Sequence, residues 1–243
     1  MTNRRTRDDG VGDDPMAIWL RAHDPLPAAG AVAGEVETAR TRTRAAVGMT
    51  EPAPDEERRV IAAYSSEPAP WGTIHVAASA QGIVAIELVT GADDFVAIVS
   101  RRLRGRVVPD GDSVPAPIRA SLAAARRELA EYFSGRRTDF DLPIDLQGIS
   151  AWDRLVLAGA TRLAYGEVTS YGALARSIGR PGTARAVGGA LGRNPVPVVI
   201  PCHRILAADG TLGGYGGGGH APRAEMLGVK RWLLTLEDAA VRG

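Results

Sequence analysis

Any search for chemistry in the 243 residues begins at Cys202, because it is the chain's single cysteine. A thiol becomes a useful nucleophile when an imidazole, positive charge or a helix N-terminus stabilises its thiolate. Cys202 is followed by His203 and Arg204, and Pro195, Pro197 and Pro201 precede it, restricting the backbone so that a side chain is held in place. The competing reading is that a free cysteine is a small buried hydrophobe, the commoner case. The dipeptide Cys-His does not choose between them. One cysteine does exclude an internal disulfide framework and a zinc site built on several thiolates. His23, His75, His203 and His220 show no spacing that puts two ligands on one face, so no metal site is expected. The run GGYGGGG, residues 213–219, invites comparison with a phosphate-cradling loop, but no Gly-Lys-Ser/Thr follows it and no βαβ unit surrounds it.

The elements that must position Cys202 form a mixed pattern. Residues 1–67 have little hydrophobic periodicity and include EPAPDEERR, an unpackable composition, so a disordered or loosely structured extension is expected there. Order is expected from about Trp71. GTIHVAAS and GIVAIELV read as a hairpin, PAPIRASLAAARRELAEYFSG as an amphipathic helix stopped by Gly135, and DFDLPIDL as a returning strand. From Ala151 the pattern changes to helices and glycine-rich turns: AWDRLVLAGATRLA, then TSYGALARSIG with Thr169 or Ser170 as N-cap, then TARAVGGALGRN. The last two, separated by Arg180, Pro181 and Gly182, have the shape of a helix-turn-helix. PVPVVIPC reads as a rigid β-rich segment and KRWLLTLEDA as a closing helix. The fold class expected is α/β (α+β): an extension over 1–67, a sheet-and-helix domain over 68–147 and a mainly helical domain over 148–243.

Composition narrows the classes of function. Hydrophobic residues make up 45% and charged residues 23%, and no apolar run is long enough for a membrane span. The start, MTNRRTRDDGVGDDP, lacks the apolar region of a secretory signal, so a cytoplasmic protein is expected. The net charge of +1 gives no global footprint for nucleic acid. Locally, Ser170 to Gly210 holds five arginines (Arg176, Arg180, Arg185, Arg193, Arg204) against one acid, Asp209, a balance of 5 − 1 = +4. That is either a phosphate-facing surface or an ordinary solvated face in an arginine-rich chain whose only lysine is Lys230.

The longer string NPVPVVIPCHRIL decides the matter. With ARAVGGAL, YGEVTSYGALA and KRWLLTLE, it resembles the O6-alkylguanine-DNA alkyltransferases, over about 170 residues from Trp71 to Glu237. The resemblance implies that Cys202 accepts the alkyl group, that His203 serves as its base through a water, and that Glu237 orients His203. Asn194 would brace the active-site turn, and Tyr171 would help expel the guanine. Arg185 would enter the base stack on a helix whose small residues, Ala184, Ala186 and Gly188, permit close approach to the minor groove, with Thr183, Ser170 and Arg204 as further DNA contacts. Tyr215, Gly216, Val198 and Pro197 would line the alkyl pocket. The partner implied is double-stranded DNA containing alkylated guanine, flipped out of the duplex. The protein would be a monomer, needing no cofactor and using itself up, because a thioether offers no hydrolytic route back; alkylated thymine would be a further substrate. A lesion-binding protein without transfer is the alternative, against which the presence of Cys202 argues. A regulator would need another DNA-binding domain, and a cysteine hydrolase would need a converging dyad that adjacent residues rarely make. Three departures from the family pattern stand out: Trp152-Asp153 in place of a Phe-Gln pair, a longer stretch between Tyr215 and Lys230, and the N-terminal extension.

Overall fold

The computed structural model describes residues 60–216 and 222–239. The expectation of disorder falls mostly on residues 1–59, outside the described part.

A four-stranded sheet in the order β3-β2-β1-β4 is built from β1 (Val60–Ala69), β2 (Gly72–Ser79), β3 (Gly82–Glu87) and β4 (Arg106–Pro109). The expected hairpin is β2–β3, antiparallel. Its turn requires glycine: Gly82 has φ +141, and a Cβ there would lie 2.2 Å from the Pro143 carbonyl oxygen. Strand β1 corrects the sequence reading, since Val60–Ala69 is already a strand ahead of Trp71. It pairs antiparallel with β2 and parallel with β4, so eight of its residues, Val60 to Glu67, fall inside the supposed extension.

Alternation along the strands covers both faces of the sheet. Ile74, Val76, Ala78 and Ile83 meet Ile118, Leu122 and Leu129 of helix α2 (Ala116–Phe133), while Ala62, Ala77 and Val84 meet Phe95 and Val99 of helix α1 (Ala92–Leu103). Helix α1 carries Asp93 and Asp94 in its first turn and Arg101 and Arg102 in its last, each on the favourable end of the helix dipole. DFDLPIDL is not a strand. It runs beside β3 with one bridge, Ile83 to Ile144, because Pro143 supplies a carbonyl to Ile83 but has no N–H to continue a ladder.

The second half is helical: α3 (Ala151–Ala160), α4 (Tyr171–Ser177), α5 (Ala184–Gly192) and α6 (Arg223–Leu236). Ser150 and Ser170 cap α3 and α4 by accepting from the N–H of Asp153 and Ala173. Short strands β5 (Thr169–Ser170) and β6 (Ile205–Leu206) pair in parallel and tie the start of α4 to the segment after Cys202. Helix α6 begins earlier than the sequence suggested. Much of the stretch between Tyr215 and Lys230 is therefore its first two turns, and only residues 217–221 of that stretch lie outside the described part. No helix among the described residues is long and apolar enough to cross a membrane.

Candidate active site

PVPVVIPC is a folded-back turn and not a β segment. Ile200 N–H donates to the Val196 carbonyl at 2.9 Å, and Pro197 bridges Ile200. Val198 at its apex has φ +76, a strained conformation for a β-branched residue that persists only where the surroundings over-determine it. Asn194 supplies much of that determination. Its amide donates to the Ile200 carbonyl at 2.9 Å and to Cys202 Sγ at 3.1 Å, while its oxygen accepts from Val196 N–H at 3.0 Å. One side chain thus folds the turn and touches the thiol.

Cys202 opens a single 3₁₀ turn, Cys202–Arg204, in which all three side chains are buried. Burial pushes its thiol pKa up, against the Asn194 hydrogen bond and the charge of Lys230, which pull it down. His203 is fully buried and its pKa is lowered by that burial, so the imidazole is neutral at pH 7. Its Nε2 lies 2.8 Å from Glu237 Oε1, whereas Nδ1 has no hydrogen-bond partner among the described residues.

Glu237 is held ionised despite its burial, because hydrogen bonds from His203 and Arg204 outweigh the desolvation. Arg204 reaches both carboxylate oxygens at 2.8 Å, Gly166 N–H donates at 3.1 Å, and the Tyr132 hydroxyl adds a short hydrogen bond. Arg204 supplies the balancing charge, which leaves the imidazole free to stay neutral. A neutral imidazole facing a carboxylate donates through Nε2, so Nδ1 carries the lone pair and is the basic atom.

Several sequence-based placements need correction. Arg204 is not a DNA contact: its guanidinium is buried on Glu237 and on the Leu163 carbonyl at 2.7 Å. Arg193 is held by a bidentate bond to Asp153 at 2.7 and 3.0 Å, which gives the Trp152-Asp153 departure a structural use. The exposed arginines of that stretch are therefore Arg176, Arg180, Arg185 and Arg193, the last of them tied to Asp153. Val198 is buried in the core and does not line a cavity with Cys202, although Pro197, Tyr215 and Gly216 do. Glu237 caps α6 rather than lying within it.

Helix α5 presents Arg185, Ala186 and Gly189 outward and buries Val187, Ala190 and Leu191. Thr183 and Ala184 are half-buried at its start. Gly188 faces inward, where a Cβ would stand 3.6 Å from the ring of Tyr171. Tyr171 and Gly188 line a cavity of about 210 Å³ with Cys202, Tyr215, Gly216 and Arg223. The Tyr171 hydroxyl lies 3.4 Å from both the N–H and the carbonyl of Gly214, and burial raises its pKa, so it remains a protonated donor.

Three contributors escaped the sequence reading. Tyr132 comes from α2, and Gly166 from the turn after α3. Lys230, read only as the sole lysine, is fully buried and donates to the carbonyls of Ile205, Leu212 and Gly214 at 2.6, 2.7 and 3.0 Å. Burial lowers its pKa to about 8, so it keeps most of its charge at neutral pH. Among the described residues no group of His, Cys, Asp and Glu is arranged to hold a metal ion.

Residues 63–146 match the family model described as 6-O-methylguanine DNA methyltransferase, ribonuclease-like domain, and residues 151–239 match its DNA binding domain. A methylated-DNA--protein-cysteine methyltransferase of Mycolicibacterium paratuberculosis is 46% identical over 117 residues, 48% of this chain and 66% of that protein. One of Bacillus subtilis, the constitutive form, is 38% identical over 111 residues, 46% of this chain and 67% of that protein. The chain thus spans about two thirds of the length of these relatives. A crystal structure of Mycobacterium tuberculosis OGT in complex with DNA is 32% identical, with a TM-score of 0.57, and the alignment covers 72% of this chain and 92% of that one.

Proposed function

The chain belongs to the 6-O-methylguanine DNA methyltransferase family, and from that premise we propose that it repairs DNA by moving the alkyl group of O6-alkylguanine, and of O4-alkylthymine, irreversibly onto Cys202. The observation that carries the reading is the row Cys202, His203, Glu237: a buried thiol on a cavity wall, beside a neutral imidazole whose Nδ1 is kept basic.

The thiol proton passes to His203 through a water, and the sulfur lone pair forms the S–C bond as the C–O6 bond breaks. The electron pair of that bond goes to the guanine, which takes a hydrogen bond or proton from Tyr171. Where Tyr171 gives up its proton, the proton taken up by His203 restores it through water, so the net movement is from thiol to guanine. Glu237 fixes the tautomer of His203, Asn194 holds the thiol in line, and Tyr215, Gly216 and Pro197 bound the alkyl group. Helices α4 and α5 act as the helix-turn-helix, with Arg185 filling the space of the flipped nucleotide and Ser170, Thr183, Ala184 and Ala186 close to the duplex. In this reading residues 68–147 support the site and residues 148–243 bind DNA and carry the transfer, acting in the cytoplasm as a monomer.

Mass spectrometry after incubation with a duplex bearing one O6-methylguanine tests this. A single methyl on the Cys202 peptide, with yield stopping at one per protein and no transfer by Cys202→Ala, is expected. Tight binding with no change in mass would replace repair by lesion sensing.

A further inference from the structure

A second cavity, larger than the first at about 390 Å³, shares a wall with it. Leu191, Gly192, Cys202, Tyr215 and Gly216 line both, so the thiol stands at their junction. Tyr171 and Gly188, which face the base in the alkyl-transfer reading, line only the small one. The large one runs to the other half of the molecule, to β3 and to α1, whose Phe95, Ile98 and Val99 line it.

In a displacement at carbon, sulfur, carbon and the departing oxygen are collinear, so the rest of the alkyl substituent leaves the reacting carbon sideways. With the base in the small cavity, a long substituent needs a sideways space that begins at Cys202, and the large cavity provides it. Its apolar lining includes Ile86, Leu88 and Met226. Its charged lining is three guanidiniums, Arg101, Arg102 and Arg193, against the single carboxylate of Glu87.

Those charges are not equally available. Arg193 is paired with Asp153, and Glu87 accepts from the backbone N–H groups of Leu88 and Val89. Arg102 bonds only the Val84 carbonyl, makes no ion pair within salt-bridge distance among the described residues, and has a buried Nε with no partner. Burial, opposed by the more distant Asp145, lowers its pKa, as expected for a guanidinium short of a counter-charge.

We propose that this second cavity receives extended O6 substituents and that Arg102 selects, among them, those ending in a carboxylate. The inference rests on the alkyl-transfer reading and deepens it. The reaction is unchanged: S–C forms, C–O6 breaks, and the electron pair leaves with guanine.

The test uses the full chain and three duplexes, carrying O6-methyl-, O6-pentyl- or O6-(4-carboxybutyl)guanine, with single-turnover rates read by mass spectrometry. All three should transfer. Arg102→Gln should slow the carboxybutyl substrate about tenfold relative to pentyl, the scale of a charge-assisted hydrogen bond, and leave methyl unchanged. Ile98→Trp, at an exposed position on the rim, should slow both long substrates about tenfold and spare methyl. Transfer of methyl but neither long chain by the wild type, or variants that slow all three alike, would overturn the inference alone. Failure on all three would overturn the alkyl-transfer reading with it. Thermal melting shows that each variant is folded, and Arg102→Lys, which keeps the charge, should retain the carboxybutyl preference; its loss there would also count against the assignment.

Discussion

The two ends of the catalytic row are both shut off from solvent, yet the chain furnishes them in opposite ways. At one end Glu237 receives hydrogen bonds from His203, Arg204, Gly166 and Tyr132, and its charge is fixed. At the other, Cys202 Sγ receives one side-chain hydrogen bond among the described residues, from Asn194, and burial keeps it a thiol. The saturated end is a structural clamp that holds a tautomer. The sparse end is left reactive, because a thiolate stabilised as fully as Glu237 would gain little by attacking carbon.

Removing each end in turn gives the largest contrast. Glu237→Gln leaves the Arg204 guanidinium buried without its charge partner and should cost about 3–5 kcal/mol of stability. Cys202→Ala removes one small buried group and should cost about 1 kcal/mol. Urea denaturation of the two variants reads the difference, and equal costs would dissolve the distinction between clamp and reactive end.

The same contrast sets opposite pH limits. His203 has a folded pKa below its ordinary 6.5, so its contribution to stability is complete above 6.5 and is lost as pH falls below it; Glu237, depressed below 4.5, adds a second loss further down. Cys202 is raised above its ordinary 9.0, so its contribution is complete below 9.0 and is lost as pH rises beyond it. Denaturation midpoints measured from pH 5 to 10 should fall as pH drops below 6.5. Above about 8 the lowered pKa of Lys230 adds an opposing gain, so the alkaline loss from Cys202 is read as the difference between wild type and Cys202→Ala, which should narrow above 9.0. An acid edge softened by that variant would show that the two ends titrate as one unit.

How much of this the sequence disclosed follows from how far apart the interacting residues lie. Cys202, His203 and Asn194 sit within ten residues, and their turn chemistry is legible in NPVPVVIPCHR. The partners of Glu237 are not: Tyr132 is 105 positions away and Gly166 is 71, and no local pattern marks either. Arg204 was misplaced because a charge beside a nucleophile is read as facing a ligand, when a buried carboxylate far along the chain had already claimed it. Helix α1 was missed although its signals were present, with acids in the first turn, arginines in the last, and Phe95 and Val99 spaced i, i+4. Strand β1 was missed because its Ser65, Ser66, Glu67 and Pro68 look like linker, and only pairing on both sides makes them a central strand.

Tyr132 supplies the smallest and most discriminating test, since it belongs to α2 and brings the first half of the molecule to the clamp. Its ring is fully buried among Phe133, Phe140 and Tyr165, so Tyr132→Phe keeps the packing and deletes one donor to Glu237. Arg204, Gly166 and His203 remain, so the loss should fall at the low end of a hydrogen bond to a charged acceptor, about 1.5 kcal/mol. If the clamp works through the tautomer of His203, the single-turnover rate should also fall a few-fold with the affinity for methylated duplex unchanged. A stability loss with no change in rate would confine Tyr132 to holding the two halves together, and the carboxylate end would then need only its Arg204 and Gly166 donors to keep His203 basic.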